Sequence, residues 1–325
     1  MTTTSDLAAE RRALTTGAAL VDRSGAGRLR LGGADRARFL HGLVTCDVKD
    51  LAEGRGAYGF VTSPQGRVLA DVVVLALEDE LWLEVPPGAD ERVADHLAKY
   101  LIADRVEIAA LPAVPLAVAG PRAAELLAGL LGRGALPDEP WSHRAASPAG
   151  VPARLVRRGV APVDTFDLWL PPGTGPELRA HLQAAGAAPV GDAAWDLLRV
   201  ERGVPAFGRD FGADNFPQET GLGDQAVSYT KGCYLGQEIV ARIHYRGGVH
   251  KALRGLRFRG VEAPPPSGTP LLADGRAAGT VGTTAVSPDH GAIGLAILHE
   301  RANAPGTVLQ IEGGGEAEVV ELPFG

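Results

Sequence analysis

Apolar residues recur along this chain at two different spacings, and the change from one to the other divides it. In the first part the spacing is mixed. Residues 6–19 predict a helix that begins at Asp6 and stops near Gly17. A strand is predicted at Gly27–Leu31, then a helix capped by Asp35 with Phe39, Leu40, Leu43 and Val44 on one face. Ala57–Thr62 and Arg67–Leu77 read as strands joined by the turn Ser63-Pro64-Gln65-Gly66. Val72–Leu77 is an unbroken apolar run, as expected of a strand buried on both faces. A further strand at Leu81–Val85, a helix at Ala89–Leu101 and a strand at Val106–Ala109 complete an arrangement of the split βαβ, ferredoxin-like kind. A second, looser copy begins at Leu116–Ala119. It has helices at Arg122–Leu131 and Pro176–Ala185 around strands near Arg154–Arg157 and Phe166–Leu170. Asp192–Arg202 reads as another helix, and 203–230 as irregular chain. From Lys251 onward short alternating segments recur between Gly and Pro, which predicts a small all-β domain, a barrel. The expectation is therefore an α+β chain with ferredoxin-like halves over 1–248 and a C-terminal β-barrel over 249–325.

Composition narrows the function. Over 325 residues, 45% hydrophobic and 22% charged side chains are ordinary globular values, so a large core needs no disulfides. The net charge of −7 argues against direct nucleic-acid binding, which calls for clustered Lys and Arg. Cys46 and Cys233 are the two cysteines and neither belongs to a CxxC pair, which suits a reducing, cytoplasmic setting. The first residues, MTTTSDLAAERR, lack the apolar core of a secretory signal, and no apolar run is long enough for a membrane span. His244, His250, His290 and His299 form no metal-binding spacing, and His41 with Cys46 is a weak one, so no stable metal site is expected.

Three stretches carry candidate chemistry. Ser228–Gly247 holds Tyr229, Tyr234 and Tyr245, Lys231 (one of four lysines) and Cys233. Leu235, Ile239, Val240 and Ile243 fit one helical face, which would set Cys233 at or just before a helix N-terminus. The helix pole and the Lys231 charge would both favour a thiolate, and Gly232 and Gly236 would let a ligand approach the backbone. The alternative is a buried, inert Cys233. In residues 197–219, Glu201 lies at a predicted helix end. A carboxylate there could accept two parallel N–H bonds from a 2-aminopyrimidinone edge such as that of a pterin, or it is a surface Glu paired with Arg199 or Arg202. Asp71 interrupts an otherwise apolar strand. It is either a buried carboxyl suited to acid/base work or a solvent-facing residue at the strand's start.

KGCYLGQE at 231–238, LRVERGVPAFGRDF at 198–211 and FPQE at 216–219, with LGGADRARFLHGLVTCDV at 31–48 and GRVLADVVVL at 66–75, resemble the YgfZ family over most of the chain. This family lies within the folate-binding superfamily of the glycine-cleavage T-protein, an aminomethyltransferase. The resemblance implies a folate domain with a central hole that holds tetrahydrofolate, and a C-terminal β-barrel packed against it. It places Glu201 at the pterin, with Arg199, Tyr229, Tyr234 and Gln237 around the cofactor, and Lys231, Cys233 and Asp71 as the reactive groups. Where the T-protein has two adjacent acids this chain has Ala70-Asp71, a departure that tells against aminomethyl transfer.

The YgfZ family is associated with assembly or repair of iron–sulfur enzymes, some of them tRNA-modifying. Two well-separated cysteines cannot supply the four or so ligands of a stable cluster. The expected role is thus that of a tetrahydrofolate-binding accessory protein acting on clusters held by client or assembly proteins. The alternative is a folate-dependent one-carbon transferase.

Overall fold

The computed structural model describes residues 4–132 and 136–325. The chain forms two compact units. One comprises residues 4–61, 70–132, 136–195 and 230–234; the other comprises 62–69, 196–229 and 235–325.

The first unit opens with helix α1 (Thr4–Thr16) and strand β1 (Ala19–Asp22). The predicted stop at Gly17 holds, since Gly17 closes the helix on Ala13 O, and the last residues of the predicted 6–19 span instead lead into a buried strand at Ala19–Val21. There follow β2 (Gly27–Gly32), α2 (Arg36–His41), β3 (Gly56–Thr62), β4 (Val68–Ala76), β5 (Leu81–Val85), α3 (Asp90–Ala98) and β6 (Glu107–Ala110). Then come β7 (Val114–Ala119), α4 (Ala123–Leu131), β8 (His143–Ala146), β9 (Ala153–Arg157), β10 (Thr165–Leu170), α5 (Gly175–Ala184) and β11 (Ala188–Val190). From β2 to β6 and again from β7 to β11 the order is strand, helix, three strands, helix, strand. The sheets agree too: β3-β4-β5-β2-β6 in one, and β8-β9-β10-β7-β1-β11 in the other, with β1 inserted beside β7. The looser second copy read from the sequence is a topological duplicate.

Each sheet is apolar on one face. In the second half, Leu155, Phe166, Leu168 and Leu170 pack with Leu127 of α4 and with Leu178 and Leu182 of α5. On the opposite faces the two halves meet through polar and aromatic groups. Trp82-Leu83-Glu84 of β5 and Asp167-Leu168-Trp169 of β10 are matched in reverse order. The Trp82 and Trp169 indoles stack at 6.1 Å with 6° between planes, and Arg158 binds both acids, with Glu84 at 2.7 Å.

The second unit includes the end of α6 (Asp192–Glu201), the short α7 (Gly223–Ala226) and α8 (Gln237–Arg246). It ends in β12 (Lys251–Arg259), β13 (Pro270–Ala273), β14 (Arg276–Ser287), β15 (Gly291–His299), β16 (Val308–Ile311) and β17 (Glu316–Val320). These six close into a barrel in the order β12-β15-β14-β13-β16-β17, its interior filled by Leu256, Leu271, Leu298, Leu309 and Val319. Closure leaves no free sheet edge. Among the described residues no helix is long and apolar enough to cross a membrane.

Candidate functional site

Alternation along β4 decides the environment of Asp71. Ala70 and Val72 face the core with almost no exposure, while Leu69 and Asp71 face the other way and are half-buried. The acid missing at position 70 would therefore have pointed into the core, away from Asp71. The Tyr58 hydroxyl of β3 donates to Asp71 Oδ2 at 3.0 Å. Tyr58 in turn stacks on Trp141 at 5.6 Å, and the Arg158 guanidinium lies 5.6 Å from that indole. Burial raises the Asp71 carboxyl to about 6, against the opposing pull of the Tyr58 hydrogen bond and the Arg158 charge. Burial also raises the Tyr58 phenol, with help from Asp71. Asp71 is thus a carboxyl that exchanges a proton close to neutrality, beside two aromatic faces.

Beneath it lies a charge cluster. Arg28 and Arg23 reach Glu84 at 2.6 and 2.8 Å, Arg23 Nε lies 3.4 Å from Asp167, and Arg158 joins both acids. Burial alone would raise Glu84, but Arg158, Arg23 and Arg28 hold it well below the usual carboxylate range. Three guanidiniums face two carboxylates here, and an ionised Asp71 would bring the balance to zero.

Lys231 does not act as the sequence led us to expect. Its ammonium donates to His41 O and Val44 O at 2.7 Å and to Cys46 O at 2.8 Å. Its Nζ also lies 5.1 Å from the Tyr234 ring. Burial lowers Lys231 to about 8, and Cys46 and Asp47 oppose that shift. Cys46 itself is buried, and its thiol is pushed up to about 12. Cys233, by contrast, is exposed, so it is not the small buried hydrophobe of the alternative reading. It does not sit at a helix N-terminus. Gly236, at φ +82°, caps α8, and the helix starts at Gln237. A side chain at Gly236 would meet Ser63 O at 2.5 Å, so this glycine serves a tight backbone approach to the 63–66 turn.

The remaining sequence candidates lie in the second unit. Glu201 is buried rather than on the surface, and Ser287 Oγ donates to its Oε1 at 2.7 Å. The same hydroxyl accepts from the backbone N–H of Asp289 and His290. Arg199 donates to Asp210 at 2.6 Å, Thr283 at 2.6 Å, Val204 O at 2.8 Å and Asp196 at 3.2 Å. Tyr229 accepts from Gln218 Nε2 at 3.2 Å and stacks on His244 at 3.6 Å. Gln237 is the first residue of α8 and is half-buried.

The structure therefore joins Asp71 and Lys231, 160 positions apart, through β3. Tyr58 bonds Asp71, and its neighbour Gly59 lies against Cys46, whose carbonyl holds Lys231. Tyr58, Trp141 and Arg158 were missed from the sequence. The one available signal was an aromatic within reach of a strand acid, and it is too common to single out Tyr58. Among the described residues no group of three or more His, Cys, Asp or Glu is arranged to hold a metal ion.

A duplicated α+β arrangement followed by a closed six-stranded barrel defines the fold class of this chain. The chain belongs to the glycine-cleavage T-protein family: residues 2–231 match the GCVT N-terminal domain, and residues 251–324 match the glycine cleavage T-protein C-terminal barrel domain. A putative chloroplastic transferase of Arabidopsis thaliana is 30% identical over 96% of this chain and 72% of its own length. An aminomethyltransferase of Rubrobacter xylanophilus is 30% identical over 97% of this chain and 85% of its own. The crystal structure of the glycine cleavage system aminomethyltransferase T from Bartonella henselae superposes with a TM-score of 0.86 at 24% identity. It covers all of this chain and 91% of that one, and so shares the fold. Aminomethyltransferases of this family bind tetrahydrofolate.

Proposed function

We propose that this protein binds tetrahydrofolate and serves iron–sulfur client or assembly proteins through the segment around Cys233. The observation that carries the second half of this reading is the placement of KGCYLGQE. Cys233 is exposed between two buried residues, Lys231 and Tyr234, so a thiol is presented outward on a fixed piece of chain. An outward thiol suits contact with a partner's cluster or with a sulfur-bearing group. Two separated cysteines remain too few to hold a cluster alone.

The residues of the first unit fit a folate. A pterin needs a carboxylate for its amino-pyrimidinone edge and an aromatic face for its ring. Asp71 has one oxygen engaged by Tyr58, and the half-buried Trp141, stacked on buried Tyr58, is the aromatic beside it. Glu201 is the other candidate: like Asp71 it has one carboxylate oxygen engaged by a hydroxyl, that of Ser287. When bound, tetrahydrofolate would supply the one-carbon carrier. Asp71, with Tyr58 holding its Oδ2, would orient it and exchange a proton at Oδ1.

A folate-dependent one-carbon transferase is favoured by one specific observation: the Asp71 carboxyl raised to about 6 suits it to general acid/base work. Ala70, at the position of the T-protein's first acid, tells against it.

Calorimetric titration of tetrahydrofolate tests the first half of the reading. Saturable binding to the wild type that weakens at least about tenfold in Asp71→Asn supports it. Binding that survives Asp71→Asn and is lost in Glu201→Gln would move the pterin to Glu201, and no binding at all would overturn the folate assignment. Cellular activity of iron–sulfur enzymes tests the second half. A fall with Cys233→Ser is expected, and unchanged activity would sink the accessory role.

A further inference from the structure

Three carbonyl oxygens converge on one point beside α2. The carbonyls of His41, Val44 and Cys46 all lie within 2.8 Å of Lys231 Nζ. His41 is the last residue of α2, and helix C-terminal carbonyls lack intrahelical partners and carry partial negative charge. An ammonium has three N–H donors, and here each has an acceptor. Such a cradle would suit a small monovalent cation, and the protein fills it with a cation tethered to the chain.

The tether has a consequence two residues on. Lys231 and Tyr234 are 8% and 7% exposed, whereas Cys233 between them is exposed. Gly232 lies against the His41 imidazole: a methyl group placed on it would sit 3.7 Å from Nε2. His41 Nδ1 is 3.3 Å from Asp47. The loop after α2 and the segment 230–234 are therefore pinned together at Lys231, with Cys233 held at the outer edge. The Lys231 charge is directed into the carbonyls.

We propose that the His41, Val44 and Cys46 carbonyls form a monovalent-cation cradle occupied by the Lys231 ammonium, and that Lys231 is thereby a positioning residue for Cys233. The role for Cys233 rests on the accessory reading above; the cradle does not. An arginine would not substitute, because its planar fork is too broad for three oxygens around one nitrogen.

The test removes the tether and supplies the cation separately. Lys231→Ala deletes the equivalent of propylammonium. Full-length Lys231→Ala is expected to show amide hydrogen exchange in 41–46 and 230–234 faster by about tenfold or more. Propylammonium restores protection. Tetramethylammonium, which has no N–H, does not. Lys231→Met also exchanges faster but is not rescued, because its side chain fills the space. In the same samples the alkylation rate of Cys233, followed on its own peptide, shifts by about threefold in Lys231→Ala and returns with propylammonium. Should Lys231→Ala fold only with propylammonium present, that dependence is the same result. Unchanged exchange overturns the proposal, as does equal rescue by tetramethylammonium or a variant that propylammonium neither folds nor protects. If alkylation stays constant while exchange responds, the cradle stands and the positioning role falls. Intact client activity in Cys233→Ser refutes the accessory reading and leaves the exchange result to decide the cradle.

Discussion

The two halves of the first unit run through the same elements in the same order, yet they differ in what they place on the facing side of their sheets. In the first half, β4 carries Asp71, β3 brings Tyr58 to it, and the loop after α2 offers its carbonyls to Lys231. In the second half, the equivalent of β4 is β9, Ala153–Arg157, which has no acid. That half contributes Arg158 and Asp167 to the charge cluster and Trp141 to the aromatic pair. One copy holds the proton-exchanging group, and the other supplies the cation and aromatic wall that set its environment. Duplication of a fold thus leaves a divided surface, on which a residue can change role without disturbing the helix-facing core behind it.

Breaking that division at its shared point should have the largest effect. Arg158→Leu leaves Glu84 and Asp167 buried with one fewer cation each, and breaking a buried ion network typically costs about 3–5 kcal/mol. Urea denaturation should show that loss, whereas a midpoint within error of wild type would mean Arg23 and Arg28 suffice. Lys231→Met acts on the first half alone. It leaves three carbonyls without their donor, and about 3 kcal/mol should be lost in the same assay.

Asp71→Asn should move stability the other way. The folded carboxyl, at about 6, lies above its ordinary value of 3.8, so the folded state holds the proton more tightly than the unfolded chain. That stabilisation is complete at low pH and is lost as pH rises through 6. At pH 7 the ionised Asp71 is a liability, and Asp71→Asn should gain about 2 kcal/mol. It should also flatten the stability profile between pH 4 and 6; a slope unchanged there would show that Asp71 is not the titrating group. The smallest effect should come from Gly59→Ala. Its new methyl would sit 2.6 Å from Cys46 Sγ, and such overpacking costs about 1–2 kcal/mol. Melting of the double variant with Cys46→Ala should recover part of that loss, and no recovery would locate the strain in the backbone.

What could be read from the sequence, and what could not, follows from the range of the interactions. Val72–Leu77 announced a buried strand, and the alternation after Lys251 announced a barrel, because both patterns are local and repeat. β1 and β11 were lost because four and three residues carry no period. Asp71 could be singled out as an acid in an apolar run, but its neighbours Tyr58 and Arg158 come from other strands. Lys231 and Cys233 were conspicuous as a pair two residues apart. Their separation in the fold, one inward to carbonyls 185 to 190 positions away and the other outward, depends on contacts that no local pattern encodes. The apolar face through Leu235 points to a helix that begins earlier than α8 does, because nothing in Gly236 itself shows that its φ is positive.

The stacked indoles of Trp82 and Trp169 come from the fourth strand of each half, β5 and β10, and each lies near a guanidinium: Arg28 is 4.5 Å from Trp169 and Arg154 is 5.5 Å from Trp82. Two parallel chromophores at 6.1 Å couple their electronic transitions, and the coupling decays steeply with separation. The protein thus carries an optical gauge of the distance between its two halves, readable in near-ultraviolet circular dichroism without a label. Parting of the halves would register there as a loss of that coupling.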